Sequence, residues 1–214
     1  MLNDSRKGIY DLLTPDNSAL ILIDYQPQMI FGVGSMQREL LLNNVEGICQ
    51  TAKLFNVPTI LTTVNADTFS GKMIKQITDI FPDLPVFDRT TMNTYEDETV
   101  REEIKKLGKK KLILGALWTE VCLAFPVLSL LKEDYEVYFL CDASAGESKE
   151  VHKAAVMRML QAGARPVTWM QVLCEYQRDW ARSETYDDVM KIMKKHAGAF
   201  GVGICYAKHF CETK

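Results

Sequence analysis

The sequence has no apolar run long enough to cross a bilayer, which takes roughly 18 consecutive apolar residues. Its N-terminal segment carries Asp4 and Asp11, lacks the apolar core of at least about seven residues found in secretory signals, and does not resemble a transit peptide. Six cysteines are scattered without the spacing of a disulfide framework. These absences predict a soluble protein with free thiols, located in the cytoplasm and without a membrane partner.

An excess of one charge is also missing. The chain has 25 Lys and Arg residues against 28 Asp and Glu residues, a net charge of -3. The one basic run, KKLGKKK at 105–111, stands where a predicted helix ends before a strand, and cations there usually interact with the helix dipole in solvent. We therefore expect no nucleic-acid partner.

What the sequence does contain is a regular alternation of short apolar runs and helical patterns. A chain of 214 residues with 47% hydrophobic content is long enough for one well-filled core. Most short runs are apolar on both faces, which is typical of buried parallel strands. The predicted strands are 19–24, 58–64, 85–88, 111–115, 136–141 and 165–169, and the predicted helices are 36–55, 72–80, 97–107, 119–132, 149–162 and 184–196. This pattern predicts an α/β fold, a three-layer α/β/α doubly wound, Rossmann-like sheet of about six parallel strands.

The two ends of the chain differ from this alternating part. Residues 1–18 contain a Pro-Asp-Asn turn signal and are expected to form an arm that leads into the first strand. We assign the main domain to residues 19–182. Residues 183–214 are expected to add a helix and an apolar, glycine-rich tail that packs on the same domain or on a neighbouring subunit.

Two charged residues stand at predicted strand ends, where doubly wound sheets bind their ligands. Asp24 closes an otherwise apolar first strand, and taken alone such a carboxylate is somewhat more typical of a turn or helix cap than of catalysis. Arg89 ends the third strand and, flanked by Asp88 and Glu96, is by itself typical of a surface ion pair.

A cysteine, Cys122, follows the fourth predicted strand. If Thr119 is the N-cap of the next helix, the thiol faces unpaired backbone N–H groups, a setting that lowers a cysteine pKa from about 8.5 and can hold an oxyanion. The alternative is a buried structural thiol, which the turn alone favours because free cysteine is commonly buried. Combined with Asp24 and Arg89, however, Cys122 completes a nucleophile, a carboxylate to take its proton and a cation to hold the charge.

Several segments resemble a known family. The stretches ALILIDYQ, LPVFDRTTMNTYED and ILGALWTEVCLAFPVLSLL resemble the three signature segments of the isochorismatase-like cysteine hydrolases. More closely, TEVCLAFP, CDAS, QAGARPVTW and CEYQRDW resemble the YcaC-like branch, whose members have mostly been described as hydrolases of unknown substrate. The resemblance covers about residues 19–182.

The resemblance implies a catalytic triad of the nicotinamidase type, with Asp24 as acid/base and Cys122 as nucleophile. Arg89 occupies the position where the wider superfamily usually has lysine, and it can hold a thiolate or a carboxylate without giving up its proton. A cis peptide bond between Leu117 and Trp118 is also implied, which would turn the N–H groups of Trp118 and Cys122 toward an oxyanion. Because YcaC-like proteins form ring-based octamers, a homo-oligomer is expected.

No metal and no organic cofactor are predicted. Nicotinamidases of this superfamily bind a metal through an aspartate and histidines after the second strand, whereas TVNADTFSG at 63–71 offers Asp67 and no histidine. Cys205, His209 and Cys211 have only loosely ligand-like spacing and lack a fourth ligand, which is a weak zinc signal.

A substrate pocket is predicted from residues in or beside the same strand ends. Aromatic walls with a few amide and hydroxyl groups suit a small planar amide or a similar acyl compound. For two of the aromatic residues, Phe31 and Tyr95, an ordinary core position is the alternative. The residues assigned to the pocket are Gln26, Phe31, Asn93, Tyr95, Trp118 and Thr119.

The sequence thus predicts a cysteine hydrolase that cleaves a C–N bond of a small amide-like substrate through a thioester on Cys122. The alternative is a non-catalytic oligomeric or binding protein of the same fold with a redox-sensitive Cys122. The pKa of the thiol distinguishes the two, because a hydrolase needs a Cys122 that forms a thiolate beside Asp24, whereas a non-catalytic protein does not.

Overall fold

Six parallel strands form a single sheet in the computed structural model, which describes residues 10–211 without the side chains of Lys208 and Cys211. The strands are β1 (Ser18–Ile23), β2 (Thr59–Val64), β3 (Val86–Arg89), β4 (Lys111–Ala116), β5 (Glu136–Leu140) and β6 (Arg165–Val167). Their order in the sheet is β3-β2-β1-β4-β5-β6.

Parallel strands covered on both faces need apolar side chains in both directions, and β1 shows this pattern. Leu20 and Leu22 pack into the core on one face of the sheet, whereas Ala19, Ile21 and Ile23 pack into the core on the other face. The strand is buried along its whole length.

The helices are α1 (Pro27–Phe31), α2 (Arg38–Leu54), α3 (Lys75–Thr78), α4 (Glu98–Lys106), α5 (Ala124–Lys132), α6 (Lys149–Gln161), α7 (Trp169–Gln177), α8 (Ser183–His196) and α9 (Gly198–Cys211). Between residues 10 and 211, no helix has the length and apolar character needed to cross a membrane.

The helices are divided between the two cores. One core contains side chains of α2, α7 and α8, and the other contains side chains of α4, α5 and α6. The predicted three-layer α/β/α fold is therefore confirmed.

The strand order reverses between β1 and β4. The chain runs outward from β1 through β2 to β3, and then returns to β4 on the other side of β1. Ile23 pairs with Ala116 across this junction, and Val64 pairs with Arg89 further out, so the carboxyl ends of four strands lie along one edge. Such a switch point is where doubly wound sheets bind ligands.

Two predicted helices are shorter than expected. The helix predicted over 72–80 is only the single turn α3, because Ile74 is extended and its N–H donates to the carbonyl oxygen of Tyr25 at 3.0 Å. The helix predicted over 119–132 begins at Ala124, since Thr119–Leu123 forms a π-helical turn.

The tail expected after α8 is itself a helix, α9. Gly198 breaks the two helices apart with a φ of +55°, which glycine adopts without strain. Gly201 then allows α9 to approach the last turn of α8, because a Cβ atom there would collide with the carbonyl oxygens of Met193 and Lys194. Four large apolar side chains of α9 remain exposed, those of Phe200, Val202, Tyr206 and Phe210.

The described part of the predicted arm, residues 10–18, is attached to α7; residues 1–9 lie outside the described chain. Leu13 is fully buried, and its N–H donates to Glu175 Oε2 at 2.6 Å. Arg178 Nη2 donates to the carbonyl oxygen of Leu13 at 3.0 Å. The CEYQRDW segment therefore holds the arm against the domain.

Candidate active site

Asp24 is positioned by the turn that follows β1. Its φ is +60°, a left-handed conformation in which aspartate is found more often than most residues. The Asp24 N–H donates to the carbonyl oxygen of Thr62 at 2.9 Å, and its own carbonyl oxygen accepts from the N–H of Gln26 at 2.8 Å. The side chain is fully buried, so the carboxyl is fixed at the switch point of the sheet.

Arg89, the last residue of β3, pairs with this carboxyl. Its Nη2 atom donates to Asp24 Oδ2 at 2.9 Å, and neither side chain is exposed to solvent. Nε donates to Thr94 Oγ1 at 2.9 Å, and Nη1 donates to the carbonyl oxygen of Thr63 at 3.5 Å. Charges are rarely buried unless they are paired and hydrogen-bonded, and this arginine meets both conditions.

Cys122 lies in the π-helical turn that follows β4. The N–H of Leu117 donates to the carbonyl oxygen of Ile23 at 3.1 Å, which joins this segment to the end of β1. The peptide bond between Leu117 and Trp118 is cis. The backbone N–H of Trp118 interacts with the Cys122 thiol and lowers its pKa. The turn thus brings the thiol to the carboxyl of Asp24.

The thiol and the carboxyl shift each other's ionisation. Burial raises the pKa of Cys122 strongly, and the negative charge of Asp24 raises it further; Arg89 and the Trp118 amide oppose this shift only in part. Burial also raises the pKa of Asp24 from 3.8, against the opposing effects of Arg89 and the Cys122 thiol. With one fixed cation, the site holds one anion, and the carboxylate is the stronger acid of the two groups.

The expectation of a lowered Cys122 pKa is therefore wrong for the resting site. Thr119 does not cap the helix, because its hydroxyl forms a 2.8 Å hydrogen bond with Nδ1 of His152. The residue that precedes the π-helical turn is Trp118, and no side chain caps that turn. Desolvation of the buried thiol outweighs the backbone dipoles that the sequence suggested.

One oxygen of Asp24 is free to receive a proton. Oδ2 accepts from Arg89, whereas the buried Oδ1 has no hydrogen-bond partner of good geometry among residues 10–211. The Cys122 thiol interacts with the Asp24 carboxyl and lowers its pKa, whereas the charge of the carboxylate raises the pKa of the thiol. The arrangement can therefore move the thiol proton to a carboxylate while Arg89 keeps the site neutral.

Three polar residues assigned to the substrate pocket use their side chains inside the protein instead. Gln26 bonds the backbone of Val64 through both Oε1 and Nε2, and Gly71 O through Nε2 at 2.5 Å. Asn93 Nδ2 donates to Ser129 Oγ at 2.9 Å and to Glu96 Oε1 at 3.1 Å, and Asn93 Oδ1 accepts from Tyr95 N. Thr119 is bonded to His152. The predicted contacts are with a substrate, whereas the observed contacts are hydrogen bonds within the protein. Local backbone geometry decides where each amide and hydroxyl is directed.

The aromatic residues of the predicted pocket separate into two groups. Trp118 remains at the site, and its indole Nε1 donates to the carbonyl oxygen of Met29 in α1 at 2.8 Å. Tyr95 is buried in the same apolar core as Cys122, which agrees with the core alternative, and it lines a surface cavity together with Arg101 and Lys105. Phe31 is 71% exposed at the end of α1.

The sequence did not point to Thr94 or His152. Thr94 is fully buried and accepts two hydrogen bonds from Arg89, from Nε and from Nη2. Its position five residues after Arg89 in the same signature segment was the only available signal. His152 lies in α6, far along the chain from Thr119, so no local pattern connects them. Among the described side chains, no group of three or more His, Cys, Asp or Glu is placed to hold a metal ion.

Comparisons with known proteins identify the family of this chain. The family model of the isochorismatase domain matches residues 18–171. YcaC of Escherichia coli (strain K12), described as a probable hydrolase, is 36% identical over 172 residues, which are 80% of this chain and 83% of the relative.

Two solved structures are similar over nearly the whole chain. The E. coli YcaC structure, described as an octameric hydrolase of unknown specificity, has a TM-score of 0.89 at 32% identity and covers 94% of this chain and 98% of that chain. YcaC from Pseudomonas aeruginosa, solved with hexane-2,5-diol and covalent acrylamide, has a TM-score of 0.88 at 33% identity and covers 92% and 97%. The chain therefore belongs to the isochorismatase family, and within it to the YcaC-like branch of hydrolases.

Proposed function

We propose that this protein is a cysteine hydrolase that cleaves a C–N bond of a small amide-like substrate through a thioester on Cys122. The observation that supports this most directly is the buried Asp24–Arg89 pair with the Cys122 thiol beside its carboxyl. A nucleophile, a base and a cation that are buried together without net charge are suited to catalysing acyl transfer.

In the resting site Asp24 is ionised and Cys122 carries its proton. Because burial and the Asp24 charge both oppose a free thiolate, proton transfer accompanies attack on the substrate carbonyl carbon rather than preceding it. The thiol proton moves to Asp24 Oδ1, and the sulfur forms the new bond. The positive charge of Arg89 is then balanced by the oxyanion that forms, with Asp24 neutral.

The oxyanion of the tetrahedral intermediate would be held by the backbone N–H groups of Trp118 and Cys122. The Trp118 N–H interacts with the Cys122 thiol, whose sulfur would bond to the carbon under attack. Such donors are effective because they are fixed before the charge develops. Protonated Asp24 then returns its proton to the leaving nitrogen as the C–N bond breaks, and the thioester remains.

Hydrolysis of the thioester reverses these roles. Asp24, ionised again, takes a proton from water, and the hydroxide attacks the thioester carbonyl. The proton then passes to the departing sulfur, which restores the thiol of Cys122. Arg89 remains charged throughout because a guanidinium does not lose its proton in proteins.

The structure of one relative contains a small amide. Pseudomonas aeruginosa YcaC is described as carrying covalent acrylamide, which is a small planar amide. We propose by analogy that a compound of this size and shape enters the site of this chain. The alternative of a non-catalytic protein with a redox-sensitive Cys122 is less well supported, because it leaves the buried Asp24–Arg89 pair beside the thiol without a role.

We also propose that the chain forms a homo-oligomer, as E. coli YcaC does as an octamer. The exposed aromatic side chains of Phe200, Tyr206 and Phe210 in α9 form an apolar surface that one chain alone leaves in solvent. Large exposed apolar patches commonly mark subunit contacts. In such an assembly α9 would contact a neighbouring subunit, whereas the arm at residues 10–18 contacts α7 of its own chain.

A turnover screen tests the proposed function. Small amides, carbamoyl compounds and vinyl ethers are incubated with the native protein, Cys122→Ala and Asp24→Asn. We expect at least one amide to be hydrolysed, with both variants losing activity on the order of a thousandfold because nucleophile and base act as a unit. Hydrolysis retained by Cys122→Ala would refute the thioester mechanism.

The pH dependence of that activity tests the role of Asp24. Because Asp24 must be ionised to accept the thiol proton and its pKa is raised, activity should fall with decreasing pH at values above the usual 3.8. Arg89→Gln removes an interaction that lowers this pKa, so its acid limb should move to higher pH, whereas Arg89→Lys should keep the limb near its native position.

The same variants have a stability signature. Arg89→Gln leaves an uncompensated buried carboxylate and should lower the free energy of unfolding by about 3–5 kcal/mol at neutral pH. The double variant Asp24→Asn/Arg89→Gln should recover most of that loss without recovering activity.

For the pH prediction, an acid limb of the pH–activity profile that is unchanged in folded Arg89→Gln would contradict the assignment of that limb to Asp24.

The assembly prediction is tested by light scattering and sedimentation. Replacing Phe200, Tyr206 and Phe210 together by serine should reduce the assembly to smaller species without unfolding the domain, because these side chains are exposed in the single chain. Met157→Ser/Leu160→Ser, which changes two exposed side chains of α6, serves as the control. A native protein that is monomeric at micromolar concentration would show the proposal to be wrong.

A further inference from the structure

The charged and amide side chains around the triad are already engaged by the protein. Arg89 directs its donors to Asp24, Thr94 and Thr63, so no free cation at this point is available for a substrate carboxylate. Gln26 is engaged by the backbone of Val64 and Gly71. A substrate held here by a charge would lack a partner of opposite sign among these residues.

The neighbouring hydroxyls are not available to a substrate either. The hydroxyls of Ser70 and Thr91 are buried and have no hydrogen-bond partner among residues 10–211. Because neither oxygen is accessible from outside the chain, a substrate reaches neither of them in this arrangement.

Next to these hydroxyls the chain exposes large apolar side chains. Phe69 directly precedes Ser70 and is 65% exposed, and Met92 directly follows Thr91 and is 67% exposed. Phe31, at the end of α1, is the third. Single exposed apolar residues need no explanation, but these three follow the carboxyl ends of β2, β3 and β1 in turn, at the edge of the sheet that carries the triad.

The segments that carry these side chains are tied to the triad. The π-helical turn Ala66–Ser70 packs against α1, and α1 in turn accepts the indole hydrogen bond of Trp118 through Met29. Met92 lies between Arg89 and Thr94, which are hydrogen-bonded to each other. We call Phe31, Phe69 and Met92 the apolar rim.

We infer that the apolar rim binds an alkyl or aryl group of the substrate, so that the site acts on uncharged acyl compounds with an apolar substituent rather than on carboxylates or other ionic amides. The inference deepens the proposed function and rests on Cys122 as the nucleophile. The rim would shield this substituent from water.

The test uses covalent labelling, which does not require turnover. Acrylamide, N-butylacrylamide and an acrylamide with a sulfonate on its nitrogen substituent each react by adding sulfur to the terminal alkene carbon, while the thiol proton ends on the neighbouring carbon. Rates at Cys122 are followed by intact-mass and peptide spectrometry, and each is divided by the rate with N-acetylcysteine. This correction removes differences in intrinsic reactivity.

We expect N-butylacrylamide to label Cys122 about tenfold faster than acrylamide after correction, as expected when roughly two methylene groups are buried. The sulfonate should react more slowly than acrylamide. The triple variant Phe31→Ser/Phe69→Ser/Met92→Ser should bring the butyl preference close to one, whereas Met157→Ser/Leu160→Ser should leave it unchanged. Circular dichroism checks that each variant is folded.

Three results would overturn the inference. The first is a native protein that shows no preference for N-butylacrylamide, and the second is a preference for the sulfonate. The third is a triple variant that keeps the butyl preference while its assembly becomes smaller, which would make the rim a subunit contact.

The proposed function fails separately. If labelling is selective but no amide is hydrolysed, the rim stands and the hydrolase proposal is lost; if amides are hydrolysed without apolar preference, the reverse holds.

Discussion

The ion pair between Asp24 and Arg89 constrains everything else at the candidate site. Two opposite charges lie 2.9 Å apart with neither side chain exposed. Pairs this deeply buried contribute little net stability compared with well-packed apolar residues, because desolvation offsets the attraction between the charges. The fold therefore maintains a costly arrangement, and what it gains is a carboxyl group held beside a thiol and a fixed cation in a dry environment.

The topology of the sheet explains how three residues from distant parts of the chain meet. Reversal of the strand order between β1 and β4 places Asp24 next to the turn that carries Cys122, and β3 extends far enough to bring Arg89 to the same edge. Since β4 is hydrogen-bonded to β1 and Leu117 continues that pairing to Ile23, the turn cannot move away from Asp24 without breaking the sheet. The geometry of the nucleophile is thus a consequence of strand pairing.

The sheet and the placement of the three triad residues at its carboxyl edge could be predicted because both follow from patterns in the linear sequence. Apolar runs predict strands, and parallel strands align their carboxyl ends, so Asp24 and Arg89 could be placed at one edge before any coordinates were known. The pocket was less accessible to this reasoning. Whether Gln26, Asn93 or Thr119 faces a ligand depends on partners such as Gly71, Ser129 and His152, which are separated from them in sequence.

The ionisation of Cys122 could not be predicted locally either. Its neighbours in the sequence suggest a helix start and hence a thiolate, but the pKa depends on how completely the assembled domain excludes water and on the charge of Asp24. In the proposed mechanism, such a thiol reacts when a substrate accepts the sulfur while the carboxylate accepts the proton.

The central claim is that the resting site is a carboxylate beside a thiol, and the most direct measurement is the ultraviolet absorbance of the Cys122 thiolate as a function of pH, taken as the difference between the native protein and Cys122→Ser. The account predicts no Cys122 thiolate at neutral pH, and a titration that begins at lower pH in Asp24→Asn than in the native protein, because the opposing negative charge has been removed. A Cys122 thiolate already formed in the native protein below neutral pH, or a titration unaffected by Asp24→Asn, would contradict it.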